Sequence, residues 1–389
     1  MNVLLFDQFS DPGGAQQGLL ELLPALQRRG WRAVVGIPGE GELFPRIRAL
    51  GFPAERIPCG PYRSGSKSLA DAARFAIDTP RLAARIRGLV REHRADLVYI
   101  NGPRLLPAAA LARLDVPVVF HCHSYLFPGA IRNLAGRALR SLNAWAIGSC
   151  RFVADPWRPF VAAGRLRVIY NGVSGPAAPR RHSGEPVVAC IGRIAPEKGQ
   201  LAFVQAAALI RSARPDCRFV VYGAALFAEP GAERYDCEVR AAAAAVDIEF
   251  RGWTPDVYAA LAQTDLLLVP SAGHEATTRV ILEAYAAGVP VVAFRSGGIP
   301  EVVDRGRDGW LADSPVEMAE LALDALALSS DGRAELSRRA RRSWERRFTL
   351  NRYHGELLGA LERAAGITPE YDPPPPDRPL SAATPVLQR

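Results

Sequence analysis

Short apolar runs and stretches with helical apolar spacing alternate along this chain from end to end. Strand-like runs fall at residues 3–6, 32–37, 97–100, 116–120, 146–148 and 167–170, then at 187–191, 218–222, 248–251, 266–270 and 289–294. Most are too continuously hydrophobic for strands with one wet face, so they read as parallel strands covered on both sides. Between them, residues 19–27, 129–146 and 201–210 carry apolar positions three and four apart, as do the Arg-rich 334–347 and 350–365. Strand-then-helix alternation predicts α/β architecture with doubly wound sheets, one in each half. The Gly- and Pro-containing stretch at 171–179 is the natural linker. Residues 1–171 and 172–349 therefore read as two Rossmann-like domains. A cleft between them is expected where the carboxyl ends of the strands can meet a ligand. Residues 366–389, with four successive prolines after Asp372, read as an extended, disordered tail.

Composition narrows the class. With 389 residues, 49% hydrophobic and 23% charged, the chain has the balance of a soluble protein with a sizeable core. No run approaches the ~18 apolar residues of a membrane span, and the first residues read as a strand, not a leader, so a cytoplasmic location is expected. Six scattered cysteines without a Cys-x-x-Cys pair read as reduced and mostly buried. The net charge of +8 calls for an anionic partner, yet no aromatic-basic ribonucleoprotein pattern is present, so nucleic acid is not expected. Lys67 and Lys198 are the two lysines among 48 basic residues, which gives a lysine in a Gly-rich loop some weight.

The candidate chemistry gathers in loops after strands. Glu275 follows the run 266–270, and Glu283 lies eight residues later inside an apolar-periodic helix that Gly288 ends. Thr277 reads as the N-cap, and the amides around Thr278, Arg279 and Val280 can hold a phosphate at the helix N-terminus. Eight helical steps of ~1.5 Å span roughly 12 Å, so the two carboxylates stand about a diphosphate apart. One can face a sugar and the other a ribose. Arg193 and Lys198 sit between the run 187–191 and a helix, a planar fork and a mobile point charge suited to diphosphate oxygens.

Three further features are weaker alone. Gly13 and Gly14 follow the first strand and let backbone approach a ligand, though an isolated Gly-Gly turn is more often structural. His121 and His123 end the run 116–120 on one face, where a histidine can serve a sugar hydroxyl or simply pack. Residues 129–146 mix Ile131, Leu134 and Leu139 with Arg132, Arg137 and Arg140, which suits a peripheral membrane contact or a core helix with a basic outer face. Neither an Asp-x-Asp pair nor zinc spacing occurs, and no metal is expected.

Taken in order, these motifs resemble the retaining nucleotide-sugar glycosyltransferases of family 4, which have the GT-B fold. The resemblance runs from Met1 to about residue 365. It rests on Gly13-Gly14, Val116-Pro117 through His123, Ile169-Tyr170-Asn171-Gly172-Val173, Gly192-Arg193 with Lys198-Gly199, and Phe250-Arg251-Gly252-Trp253. Pro270-Ser271, Glu275 to Glu283 and Gly297-Gly298-Ile299-Pro300-Glu301 complete it. It implies that Arg193 and Lys198 bind the donor diphosphate, Glu283 the ribose and Glu275 the transferred sugar. His123, not His121, would stand near the reacting sugar, and Gly14 near donor phosphates or acceptor. Helix 350–365 would cross back onto the first domain, and Gly297 to Glu301 would be mainly structural.

The resemblance implies a UDP- or GDP-type sugar donor with no separate cofactor, and a sugar, lipid-linked or small-molecule acceptor in cell-envelope or secondary-metabolite glycosylation. Acceptor recognition is expected from loops 60–69 and 124–132. Two positions depart from the family: Thr277-Thr278 replaces the usual aromatic-Gly pair, and Ser174 replaces the aspartate after the hinge. A nucleotide-sugar epimerase on the same scaffold and a non-catalytic sugar-nucleotide-binding protein are the other readings. The glycine spacing for a dinucleotide oxidoreductase is missing.

Overall fold

The computed structural model describes residues 1–11, 13–39, 41–60, 69–177, 184–225 and 231–369. Most of the expected 366–389 tail, most of loop 60–69 and the last two residues of the expected linker lie outside that set. The chain divides into two compact units, Met1–Gly172 with the segment returning at Leu350, and Val173–Thr349.

In the first unit the strands are β1 (Asn2–Asp7), β2 (Arg32–Pro38), β3 (Ala54–Ile57), β4 (Leu97–Asn101), β5 (Val118–Cys122), β6 (Trp145–Gly148) and β7 (Leu166–Val168). They pair in parallel in the order β3-β2-β1-β4-β5-β6-β7. The helices are α1 (Gly14–Arg28), α2 (Leu43–Ala49), α3 (Leu69–Glu92), α4 (Leu106–Ala112), α5 (Ala130–Ser141) and α6 (Arg151–Ala154). Every residue of β4 and β5 is buried, which accounts for their unbroken apolar runs.

The sequence reading missed the strands at Ala54–Ile57 and Gly309–Ala312 and misplaced the ends of the run at 116–120. Strand β5 begins at Val118, after Pro117, and continues through His121 to Cys122, so His121 is inside the sheet and His123 is the first residue beyond it. β3 went unread because its sequence Ala-Glu-Arg-Ile buries only its two ends at the sheet edge.

The second unit holds β8 (Val187–Ile191), β9 (Arg218–Tyr222), β10 (Ile248–Phe250), β11 (Leu266–Val269), β12 (Val291–Phe294) and β13 (Gly309–Ala312). Their parallel order is β10-β9-β8-β11-β12-β13. Helices α7 (Gln200–Ala213), α8 (Ala232–Ala243), α9 (Val257–Ala262), α10 (Arg279–Ala287), α11 (Pro315–Ala327) and α12 (Ser330–Arg347) accompany it.

Helix α13 (Leu350–Ala364) rejoins the first unit, where Tyr353, Leu357, Ala360 and Leu361 share a core with Leu19, Leu22, Leu23 and Leu26 of α1. Full burial of a leucine stabilises by about 1.5–3 kcal/mol, so this helix is a structural part of that unit. Arg29 adds a 2.5 Å ion pair to the buried Glu362.

Strand order reverses between β1 and β4 in one sheet and between β8 and β11 in the other. At such a reversal the following helices depart to opposite faces and open a crevice beyond the carboxyl ends, where α/β sheets bind ligands.

Candidate active site

The expected donor residues flank the reversal of the second sheet. Arg193 follows β8, and its backbone is fixed by buried Gln200, whose Nε2 donates to the Arg193 carbonyl at 2.8 Å. The Arg193 guanidinium pairs with Glu197. Residues Pro196–Lys198 form a tight turn closed by Gly199 in the left-handed region, φ 71°. A Cβ on Gly199 would lie 2.0 Å from the Pro270 carbonyl oxygen, and the Ala272 amide donates to the Glu197 carbonyl at 2.9 Å. The turn is thus docked on the chain leaving β11. Its consequence is a contact across 77 residues: Lys198 Nζ lies 2.5 Å from Glu275 Oε1, with 25% and 17% of the side chains exposed.

The Glu275 loop is clamped from its other side. Gly297, at φ 55°, would place a Cβ 1.9 Å from the Glu275 carbonyl oxygen. The Gly298 amide donates to that same oxygen at 2.9 Å, and Ser296 Oγ donates to the Gly273 carbonyl at 2.6 Å. The Gly297-Gly298 pair therefore fixes the backbone of the residue whose carboxylate meets Lys198.

Helix α10 begins one residue later than expected, with Thr278 and not Thr277 at the N-cap. Thr278 has the extended backbone of a cap, while Thr277 is buried in the loop before it. The Thr278 side chain makes no capping bond, and its buried Oγ1 has no hydrogen-bond partner among the described residues. Amides at a helix N-terminus have no partner within the helix, and the Thr278 side chain does not supply one here. One turn on, Arg279 Nε is 3.2 Å from Glu283 Oε1. Tyr285 anchors the helix from below, donating to buried Asp308 at 2.9 Å, and Asp308 also accepts from Ser343 of α12 at 2.6 Å. Burial raises the Asp308 pKa against these hydrogen bonds. Arg193, Lys198 and Arg279 thus each oppose a carboxylate. An ammonium has three donors, of which Glu275 engages Lys198 through one contact.

Gly13, Gly14 and His123 belong to the first unit. Gly13 precedes α1 and Gly14 opens it, and a Cβ on Gly14 would meet nothing within 4 Å. The rings of His121 and His123 lie 3.9 Å apart between centroids. His121 Nδ1 shares a 2.5 Å hydrogen bond with the Tyr99 hydroxyl. Burial pushes the His123 pKa down to about 4 and holds His121 well below its ordinary value, so both rings are neutral at pH 7.

Beside them lies a polar cluster that the sequence reading missed. Asp7, Asn101 and His121 occupy adjacent register positions on β1, β4 and β5, and all three are buried. Asp7 accepts from the Phe9 amide at 2.8 Å, from Gln16 Nε2 at 3.0 Å and from Asn101 Nδ2 at 2.5 Å. Burial raises its pKa to about 6 in spite of these bonds. It ties the loop leading to Gly13-Gly14 to the neighbouring strand. The available signal was a polar residue closing each of two apolar runs, at Asp7 and Asn101.

Residues 13–172 match the glycosyl transferase 4-like domain, and residues 185–328 match the glycosyl transferases group 1. The chain belongs to the GT-B glycosyltransferases of the family 4 type. Over 189 residues, 47% of this chain and 47% of the relative, this glycosyltransferase is 34% identical to the 2-deoxystreptamine glucosyltransferase of Streptomyces kanamyceticus. It is 29% identical over 324 residues to the GDP-mannose-dependent alpha-(1-6)-phosphatidylinositol monomannoside mannosyltransferase of Mycobacterium tuberculosis, covering 70% of this chain and 82% of that one. It thus spans about half of the first relative and most of the second. Its fold is that of Anabaena HepE, solved with UDP and glucose, at a TM-score of 0.78 and 24% identity over 93% of this chain and 99% of the other. The matches favour a transferase using a nucleotide-sugar donor over the epimerase and the non-catalytic binder.

Proposed function

We propose that this glycosyltransferase moves a hexose or related sugar from a UDP- or GDP-type donor to an acceptor hydroxyl, with retention of anomeric configuration and without a bound metal. The observation that carries the proposal is the Lys198–Glu275 contact at 2.5 Å, in the loop that leads into the N-terminus of α10. Arg193 and Lys198 take the diphosphate, the amides around Thr278, Arg279 and Val280 take phosphate oxygens, and the Thr278 hydroxyl is a further donor. Glu283 binds the ribose and Glu275 the transferred sugar. Two cationic side chains and a helix N-terminus supply the positive charge that a divalent ion supplies elsewhere, which supports metal independence.

In the proposed chemistry the bond between the anomeric carbon and the diphosphate oxygen breaks through an oxocarbenium-like state. The acceptor oxygen attacks from the same face and its proton passes to the departing phosphate oxygen. Glu275, held by Lys198, acts as an orienting group. His123, half-buried and kept neutral because desolvation lowers its pKa, serves a sugar hydroxyl as a hydrogen-bond partner. Open space at Gly14 leaves room for donor or acceptor atoms close to backbone. The relatives named above act on 2-deoxystreptamine and on a phosphatidylinositol monomannoside, which supports a ring-hydroxyl acceptor from secondary metabolism or the cell envelope.

A panel of UDP- and GDP-sugars screened by thermal stabilisation identifies the donor, since a ligand of the folded state raises the melting temperature. Proton NMR of the product then reads the anomeric configuration. Inversion defeats the retaining mechanism, and the absence of any stabilising nucleotide sugar defeats the donor site.

A further inference from the structure

Among the described residues of the first unit, exposed large apolar side chains cluster at the N-terminal end of α5. Ala135, Gly136, Ala138 and Leu139 form its buried side, and a Cβ on Gly136 would come within 2.5 Å of the Phe160 ring, so the helix lies tight on the body. Phe127 in the loop before the helix, Ile131 in its first turn and Leu134 at the margin of the buried side are 58%, 57% and 49% exposed within eight residues. Singly scattered apolar side chains are ordinary on a surface, whereas three along one helix entry form a patch.

The patch is held outward. Phe127 stands edge-on to Tyr125 at 5.3 Å, and Tyr125 stacks on Phe152 at 4.6 Å. At the far end Arg140 Nη2 donates to the Pro159 carbonyl at 2.6 Å.

Charge decides the kind of partner. Arg137 and Arg140 are exposed on the same helix, and no aspartate or glutamate occurs between Asp115 and Asp155. An apolar stripe flanked by arginines, in a segment without acid, matches the chemistry of an anionic bilayer, where acyl chains and phosphate headgroups lie side by side. Among the described residues no helix is long and apolar enough to cross a membrane, so such a contact is interfacial.

We propose that Phe127, Ile131 and Leu134, with Arg137, form a docking face for the surface of an anionic membrane. Docking needs neither donor nor acceptor, so its test is separate from that of the transferase reading.

The full chain is sedimented with vesicles of phosphatidylcholine alone and with vesicles doped with phosphatidylglycerol. It is expected to pellet with the doped vesicles, and less so as salt rises. Ile131→Ser with Leu134→Ser is expected to weaken that binding about tenfold or more, since two apolar side chains leave the interface. Arg137→Glu is expected to weaken it at least about fivefold. Circular dichroism checks that each variant folds, and Leu134→Ser alone replaces the double variant if that one does not. No pelleting, equal pelleting with neutral vesicles, or variants that bind like the parent overturn the proposal. Concentration-dependent dimers without vesicle binding overturn it too, by assigning the patch to a second copy of the chain.

Discussion

Replacing Lys198 by Met keeps the aliphatic stem and removes the charge, and the structure separates its two effects. The ammonium lies 2.5 Å from Glu275 with both side chains mostly covered, so its loss leaves a carboxylate short of its partner. That costs about 1–3 kcal/mol of stability, at the low end because water still reaches the pair. For a protein of this size, 1 kcal/mol corresponds to roughly 2–4 °C in melting temperature.

The catalytic effect is larger in the proposed mechanism, because Lys198 faces the charge that develops on the departing diphosphate. One charged donor at such a position is worth about 3–4 kcal/mol, or roughly a hundredfold to a thousandfold in turnover. The assay is the initial rate of nucleoside diphosphate release at saturating donor, alongside a thermal melt. Turnover is expected to fall about a hundredfold or more while the fold survives. Lys198→Arg should recover only part of the loss, since a planar fork replaces a point charge. Near-normal turnover in both Lys198→Met and Arg193→Ala refutes the diphosphate role.

Gly297→Ala forces a Cβ against the Glu275 carbonyl at 1.9 Å and strains a φ of 55°, so it should cost about 1–3 kcal/mol by thermal melt and abolish most turnover. Thr278→Val removes a buried hydroxyl without a described partner; stability should hold within about 1 kcal/mol while donor affinity falls severalfold by calorimetry, and unchanged affinity removes Thr278 from the site. Asp7 has a folded pKa of about 6 against 3.8 unfolded, so the folded state binds its proton more tightly. Its contribution is most favourable below pH ~4 and is lost as pH rises through about 6, a difference on the order of 3 kcal/mol. The melting temperature of the parent relative to Asp7→Asn should therefore decline from pH 4.5 to 7.5 as an expected trend of several degrees, about what that linkage gives, and a flat difference counts against it.

Much of the architecture was legible because parallel strands buried on both faces leave unbroken apolar runs, as at Val187–Ile191 and Arg218–Tyr222, where expectation and structure coincide. The same physics hid β3, whose central Glu55 and Arg56 sit on a sheet edge. Gly13-Gly14, Arg193, Lys198 and Glu275 were likewise marked as candidates by their positions after strands, and Glu283 by its place in the helix that follows Glu275. A one-dimensional pattern carries residue type and spacing, and those suffice to place a side chain on an element.

Contacts between distant segments are another matter. Lys198 meets Glu275 because Gly199 lets its turn press on Pro270 and because Gly297 presses on Glu275 from behind, interactions spanning 71 and 22 residues by the numbering of those pairs. Asp7 carries a raised pKa because the sheet and α1 close over it and bury it, and Asn101 of β4 and Gln16 of α1, brought against it, offset only part of that rise with their hydrogen bonds. No local rule encodes either arrangement, since each depends on backbone atoms brought together only when the sheet order is set. The chain's sequence determined its elements and candidate groups; tertiary packing decided which charges meet, which are buried, and hence what each can do.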